Sequence, residues 1–527
     1  MSKGRSKFKN WSIWILFIFA VFYSIEFTQP QFSLFQDSHD KAVQTFSIWQ
    51  NHFVSDNLYY PAKEFDSNLD YFHLTQNLFL KDQEKLVSAF PIQFAFLMAP
   101  FLSLFPIHFL PYTSLLFLGL GFLVLRKIFH FSFLLLGITF FATFLWPLSW
   151  EYSELPAIFV FFIYGLHPFL RKKNTTFHLF LSGIALGWVI VVRLDTLPFF
   201  SIFFLSYFFL YLRKSPKEKF QKFIQFYFVF FISLLVFLLV QLSLNHFLYG
   251  HFLGTRYLAN ANGFSAGFTE RLQWFKSLLF FSNLKIGFFG YLPFSLILLI
   301  IYWYKFKKIS DSKKALLLAT TGTLFIIPWI APNDGFNNWG PRFYTILIFP
   351  YLYFLKPLVS YYYQKKKIIF YSFLLTFGVF TFFLGIVGAK IQKSKTNLEK
   401  KFAPILSELN PDILVFQDFL NLYTSGTYYF GHVVIVSYSS ESNQKLLNRI
   451  SFAYPNRKVM FVSWNPDLIS KEMKEAINND KRMSGFPISE WNTAQLEKQM
   501  QLLTNDFKII DRNNYRFWIG TLKSEAK

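Results

Sequence analysis

Long apolar runs recur along this chain, separated by short clusters of lysine and arginine, and no other feature limits its fold as strongly. Runs of about 17 to 25 residues match the roughly 30 Å of hydrocarbon in a bilayer. In that solvent every backbone N–H and C=O has to be bonded within the chain, so such runs fold as helices. Apolar segments lie near 11–27, 88–108, 110–126, 130–148, 154–170, 177–193, 196–212, 222–247, 280–303, 315–331, 343–360 and 367–388. Basic residues gather between them, at 3–9, 126–127, 171–173, 213–222, 305–314 and 365–367. Basic loops stay on the cytoplasmic side, so the net charge of +22 records topology and not a nucleic-acid-binding stripe.

The segments poor in basic clusters, 29–87, about 148–155, 193–196, 249–276 and 332–342, then face the other side. The basic clusters and the long 29–87 loop are jointly satisfied only by an odd number of crossings. Pro91, Pro100, Pro106 and Pro111 therefore mark a broken or re-entrant helix between 88 and 126. The expectation is an α-helical polytopic membrane protein of about 11 to 13 transmembrane helices, with the N-terminus cytoplasmic. The run at 11–27 lacks a small-residue cleavage site after it and is expected to be a retained membrane helix. Cysteine is absent, which excludes disulfides, thiolate nucleophiles and Cys-ligated metals.

Beyond about residue 389 the composition becomes polar and charge-balanced. Strand-like runs at 412–416, 432–437, 458–463, 507–511 and 515–522 alternate with helix-like stretches, notably 467–477 and 490–504. Such alternation predicts a soluble α/β domain over 389–527, on the outer face, following a transmembrane domain over 1–388 that includes the 29–87 loop. No Gly-rich phosphate loop is present there, and no internal repeat runs through the chain.

The chemistry is sought in charge at membrane depth, which usually marks a site or a salt bridge. The 29–87 loop is acidic and opens with Asp37 and Asp40. In a helix, Asp37, Asp40, Lys41 and Gln44 share one face at i, i+3, i+4 and i+7. The other outer carboxylates are Glu151, Glu154, Asp195, Glu270 and Asp334, and the outer cations include Arg193, Arg256 and Arg342 near helix ends. A guanidinium there is suited to a phosphate through bidentate, charge-assisted bonds, the alternative being a structural ion pair. For Asp37 the alternative role is a helix N-cap; for Asp40, a pairing with Lys41 or Gln44 on a solvated face. His39 reads as a polar loop residue.

The order of short motifs from about 11 to 360 resembles the GT-C superfamily of polyprenyl-phosphate-sugar glycosyltransferases, of the protein mannosyltransferase and aminoarabinose transferase type. The carriers are the Asp37-containing loop start, VSAFPIQFAFLMAPFL, WEYSELP, VVRLD, NHFLYGHFLGTRY, FFSNLKIGFFGYLPF and WGPRFYTILIFPYL. Asp37-Ser38-His39-Asp40 departs from the adjacent Asp-Glu pair of many relatives, and Asn283-Leu284 stands where Ser-Pro is usual. The resemblance implies transfer of a sugar, presumed inverting, from a polyprenyl phosphate to a lipid, glycan or protein acceptor at the outer face of a bacterial inner membrane. It implies Asp37, then Asp40, as the base; Lys41, Arg193, Arg256 and Arg342 as donor-phosphate ligands; and Glu151, Glu154, Asp195 and Asp334 as supporting polar groups. Either no cofactor or a divalent cation such as Mg or Mn fits these oxygen-rich residues. A lipid or polysaccharide transporter or flippase, and a noncatalytic envelope scaffold, are the other classes of function open to such a chain.

Overall fold

The computed structural model describes the chain apart from residues 1–14, 16–17, 20, 73–78, 83–84, 172–174, 214–215, 262–265, 283–284, 334, 336–339, 419–421, 465–490 and 525–527. Two compact units emerge, one of Met1–Pro30, Pro91–Leu97 and Pro111–Lys393, the other of Gln31–Phe90, Met98–Leu110 and Ser394–Lys527. The second unit thus joins the stretch expected as an outer loop of the membrane part to the C-terminal segment.

The first unit is helical and membrane-like. Five helices among the described residues have the length and apolarity to cross a bilayer: Ile107–Lys127, Leu194–Leu212, Glu218–Tyr249, Asp311–Ile330 and Arg342–Lys365. Ile92–Ser103, Leu155–Leu170, Thr176–Val192 and Pro293–Tyr304 are apolar but shorter. At 1.5 Å per residue, Thr176–Val192 spans about 25 Å, near the lower limit for a crossing. Much of the 11–27 run lies outside the described residues.

Close packing in this unit follows from small residues. Gly183 and Gly187 lie one turn apart on Thr176–Val192, which packs along Pro216–Tyr249. A Cβ on Gly183 would lie 2.1 Å from Ser233 Oγ and 2.4 Å from the Phe230 carbonyl, and one on Gly187 would lie 2.6 Å from the Phe237 ring. In lipid, where no hydrophobic force drives helices together, such small-xxx-small stripes let backbones approach and gain dispersion contacts. Prolines act as the sequence implies between 88 and 110. The helix Ile92–Met98 gives way to a 3-10 turn, Ala99–Ser103, with Pro100 in its first turn, and a second short 3-10 turn follows at Ile107–Phe109.

The second unit is built on a five-stranded sheet in the order Val433–Val436, Ile413–Phe416, Lys458–Trp464, Tyr515–Leu522, Thr504–Arg512. The first three strands are parallel and the last two run antiparallel. All four residues of Ile413–Phe416 are buried, as befits a central parallel strand covered on both faces. Phe402, on the long helix Val379–Leu409, packs its ring against Phe416 and Phe517. The helices Ser440–Ala453 and Thr493–Leu503 pack on each other, with Leu446, Leu447, Ile450, Leu496 and Met500 buried. The expected helix at 467–477 lies outside the described residues.

The described residues between 31 and 90 are folded as part of this unit. Asp37–Gln50 is a helix, and Phe79–Asp82 pairs antiparallel with Lys85–Ser88. The Val436 N–H donates to the Tyr71 carbonyl at 3.1 Å, so the edge strand of the sheet finds a partner in this segment. Asp66, fully buried, organises the turn by accepting from the Tyr60 hydroxyl (2.6 Å) and the N–H groups of Asp70 (2.8 Å) and Tyr71 (2.9 Å).

Candidate functional site

In the second unit the predicted face of Asp37, Asp40, Lys41 and Gln44 does form on one helix, but most of it turns inward. Asp37 is the first helical residue and half-buried; the N-cap position belongs to Gln36, whose side chain makes no capping bond. An acid in the first turn is favoured by the partial positive charge of the helix start. Asp40, Lys41 and Gln44 are buried. Gln44 Nε2 donates to the Phe90 carbonyl at 2.9 Å, and Lys41 Nζ lies 5.0 Å from the centre of the Phe90 ring. The solvated pairing of Asp40 with Lys41 or Gln44 is therefore not what the fold adopts.

Asp40, 1% exposed, accepts a hydrogen bond from the Tyr423 hydroxyl at 3.1 Å, and its Oδ1 lies 3.6 Å from His39 Nδ1. Burial raises its carboxyl pKa, an effect that the His39 and Tyr423 contacts partly offset and the charge of Asp37 reinforces. Burial, with Asp40 beside it, also lifts Tyr423 well above the usual phenol range. His39 is fully buried in the helix, its ring edge-on to Tyr423 (5.3 Å between centroids) and Tyr429 (5.0 Å). It is a packing residue, not the polar loop residue its sequence position suggests. Asp37 is thus the more exposed of the two candidate bases.

In the first unit charge gathers where three helix ends meet. Arg193 follows the last residue of Thr176–Val192, Glu154 precedes Leu155–Leu170, and Asp195 lies in the turn Leu194–Thr196 that leads into Leu197–Leu212. Each charge has the sign its helix end favours, acids at the starts and the cation at the finish. Arg193 Nε and Nη2 donate to Asp195 at 2.8 and 2.6 Å, and Nη1 lies 3.4 Å from Glu154 Oε1. Its guanidinium is also 5.2 Å from the Phe343 ring, and that of Arg342 is 5.5 Å from the same ring. Two arginines thus flank one aromatic side chain, and Arg193 has two carboxylates bound to it.

This geometry gives Arg193, Glu154 and Asp195 the structural ion-pair role. Arg342 opens the turn Arg342–Leu347 and is half-buried, as is Arg256 on the helix Gly254–Ala261. Glu151 is half-buried ahead of Glu154, and Asp334 lies outside the described residues. Comparison with family models, with curated proteins and with solved structures gives no match. Among the described residues no group of three or more His, Asp or Glu side chains is arranged to hold a metal ion.

One buried acid escaped the sequence reading. Glu399, 2% exposed, lies in the second unit on Val379–Leu409, and its Oε1 accepts from the Thr427 N–H at 3.3 Å. Burial pushes its pKa up to about 8, against the downward pull of the Thr427 and Leu34 backbone amides. Its position on a polar, charged stretch of helix gives no sign of burial, because its partners come from distant parts of the chain.

Proposed function

We propose that this protein is an integral membrane glycosyltransferase that moves a sugar from a polyprenyl-phosphate carrier to an envelope acceptor at the outer face of a bacterial inner membrane. The proposal includes GT-C-like architecture, about 11 to 13 crossings and a cytoplasmic N-terminus. The observation that carries it is Arg342 beside Phe343, next to the helix ends that the Glu154, Arg193 and Asp195 ion pairs tie together in a largely apolar helical unit. Charged groups in such a unit mark a functional site or a salt bridge; the Arg193 pairs are the latter, and the Arg342 guanidinium beside them is the group suited to a phosphate.

Each residue then has a role that its surroundings support. Asp37, half-buried at a helix start, is the base for the acceptor hydroxyl or amine. Arg342 and Arg256 carry the positive charge that a departing lipid phosphate requires. Arg193, already balanced by two carboxylates, holds its three helix ends together and keeps Phe343 in place for Arg342. Asp40 supports the helix from within through Tyr423.

The test incubates purified protein with radiolabelled polyprenyl-phosphate sugars and membrane acceptors. Transfer of label by the wild type, with an Arg342→Ala variant showing a donor KM raised by about tenfold or more, supports the reading. Label that crosses proteoliposomes without changing its chemical linkage supports a flippase instead and sinks it.

A further inference from the structure

We propose that Glu399, seated against Gly426, is a positioning residue that fixes the backbone from which the Asp37 helix departs; the proposal rests on Asp37 acting as the base. Leu34, fully buried, presents its backbone amide to the Glu399 carboxyl three residues before the helix begins. Thr427 N–H bonds the same carboxyl from the 3-10 segment Tyr423–Phe430. The intervening Gly426 has a left-handed backbone (φ 49°), and a Cβ there would lie 1.9 Å from Glu399 Oε1. The backbone conformation favours glycine and a Cβ would collide with the carboxyl, so glycine lets backbone and carboxyl meet closely.

The same segment grips the helix start elsewhere. The Phe35 ring is 5.5 Å from that of Tyr423, whose hydroxyl donates to Asp40. Gln36, between Phe35 and Asp37, takes a left-handed φ of 49° that turns the chain into the helix. Residues 34, 35 and 40 are therefore each held from Glu399 or Tyr423, and Asp37 stands in the middle of the held stretch.

Packing alone does not explain an acid at this place. Among the described residues Glu399 Oε2 is buried with no hydrogen-bond partner, as is the Ser425 hydroxyl beside Gly426. A buried polar atom left unbonded is unfavourable, and an aliphatic side chain would fill the same volume without that penalty. What an aliphatic side chain lacks is an acceptor for the Thr427 amide and a carboxyl facing the Leu34 amide from a separate segment. The near-neutral pKa keeps the unbonded oxygen from carrying a full charge.

The experiment uses the full chain in detergent, with Glu399→Leu and Glu399→Gln variants. Two quantities are read: amide hydrogen exchange in peptides covering 31–38 and 423–430, and kcat and donor KM for sugar transfer. Glu399→Leu is expected to speed exchange in both peptides by about tenfold or more and to lower kcat by about tenfold or more, with donor KM within about twofold. Glu399→Gln, which keeps an acceptor oxygen, is expected to return both to within about threefold of wild type. Unchanged exchange in Glu399→Leu overturns the proposal, and so does unchanged kcat in its folded fraction, since a merely structural acid alters yield and not turnover. Should Glu399→Leu not accumulate, Glu399→Asp, with its acceptor one methylene short, is read the same way. Altered exchange in a protein whose wild type transfers no sugar overturns the glycosyltransferase reading, and with it the positioning of a base, while the seat itself is then established by exchange alone.

Discussion

At the scale of single residues, the fold sorts its acids by burial. Asp40, Asp66 and Glu399 are all at most 2% exposed, and each is bonded to a backbone amide or a tyrosine hydroxyl, whereas Asp37 is only half-buried. Removing the hydroxyl donor with Tyr423→Phe leaves a buried carboxyl under-bonded and is expected to destabilise the protein by about 1 to 3 kcal/mol, as read from the denaturation midpoint. A midpoint within error of wild type would mean that the Tyr423–Asp40 bond contributes nothing. For Glu399 the sign is set by a folded-state pKa of about 8 against an ordinary value of 4.5. The folded state binds more protons between those values, so stability falls as pH rises from about 4.5 to about 8 and is level above that. Glu399→Gln is expected to remove that slope, up to about 1.4 kcal/mol per pH unit, from the pH dependence of the denaturation midpoint. Wild type and variant following parallel pH profiles would contradict the assignment. The spacing of Asp37 and Asp40 on one helical face was legible in the sequence; which of them is exposed was not, because Tyr423 and Tyr429 lie far along the chain from them.

At the scale of elements, local pattern and long-range partnership part company. The C-terminal strands form where β-branched and aromatic runs predict them, for instance 432–437 as Val433–Val436 and 515–522 as Tyr515–Leu522. The proline-rich stretch after residue 88 breaks into short turns for a reason equally visible in sequence, since proline lacks the N–H a helix needs. Residues 31–90 are different: they are acidic, yet Asp66 is buried within the segment, and Tyr71 and the Asp37 helix pack against the C-terminal sheet and its connections. Amphipathic pattern registers a face to be covered but not which distant segment covers it. The Gly183 and Gly187 stripe gives an element-scale prediction. Gly183→Leu would drive a side chain into Ser233 and the Phe230 carbonyl, and is expected to abolish accumulation of folded protein, as judged by monodisperse elution in detergent. Gly119→Leu, at a position with open space around its Cβ, serves as the control and is expected to elute like wild type. Equal behaviour of the two variants would show that the close approach at Gly183 is unimportant.

At the scale of the whole molecule, a basic chain of 527 residues combines a helical membrane-like unit with a folded α/β unit drawn from both ends of the sequence. The basic clusters between apolar runs carry most of the net charge, and among the acids outside them Asp66, Glu154 and Asp195 are engaged in hydrogen bonds or ion pairs. The Arg193 group predicts that Arg193→Ala, which strands Glu154 and Asp195 without their cation, lowers stability by about 3 to 5 kcal/mol, measured as a shift in denaturation midpoint. Arg342→Ala is expected to act on the donor KM instead; equal losses of stability would contradict the division of roles between the two arginines. In the proposed sugar transfer the chemistry turns on one carboxylate, that of Asp37. The most direct measurement is therefore the rate of label transfer from a polyprenyl-phosphate sugar by wild type and by Asp37→Asn, at matched yield and matched denaturation midpoint. A loss of about a hundredfold or more in kcat is expected, in keeping with removal of a general base. Undiminished turnover by Asp37→Asn would contradict the account.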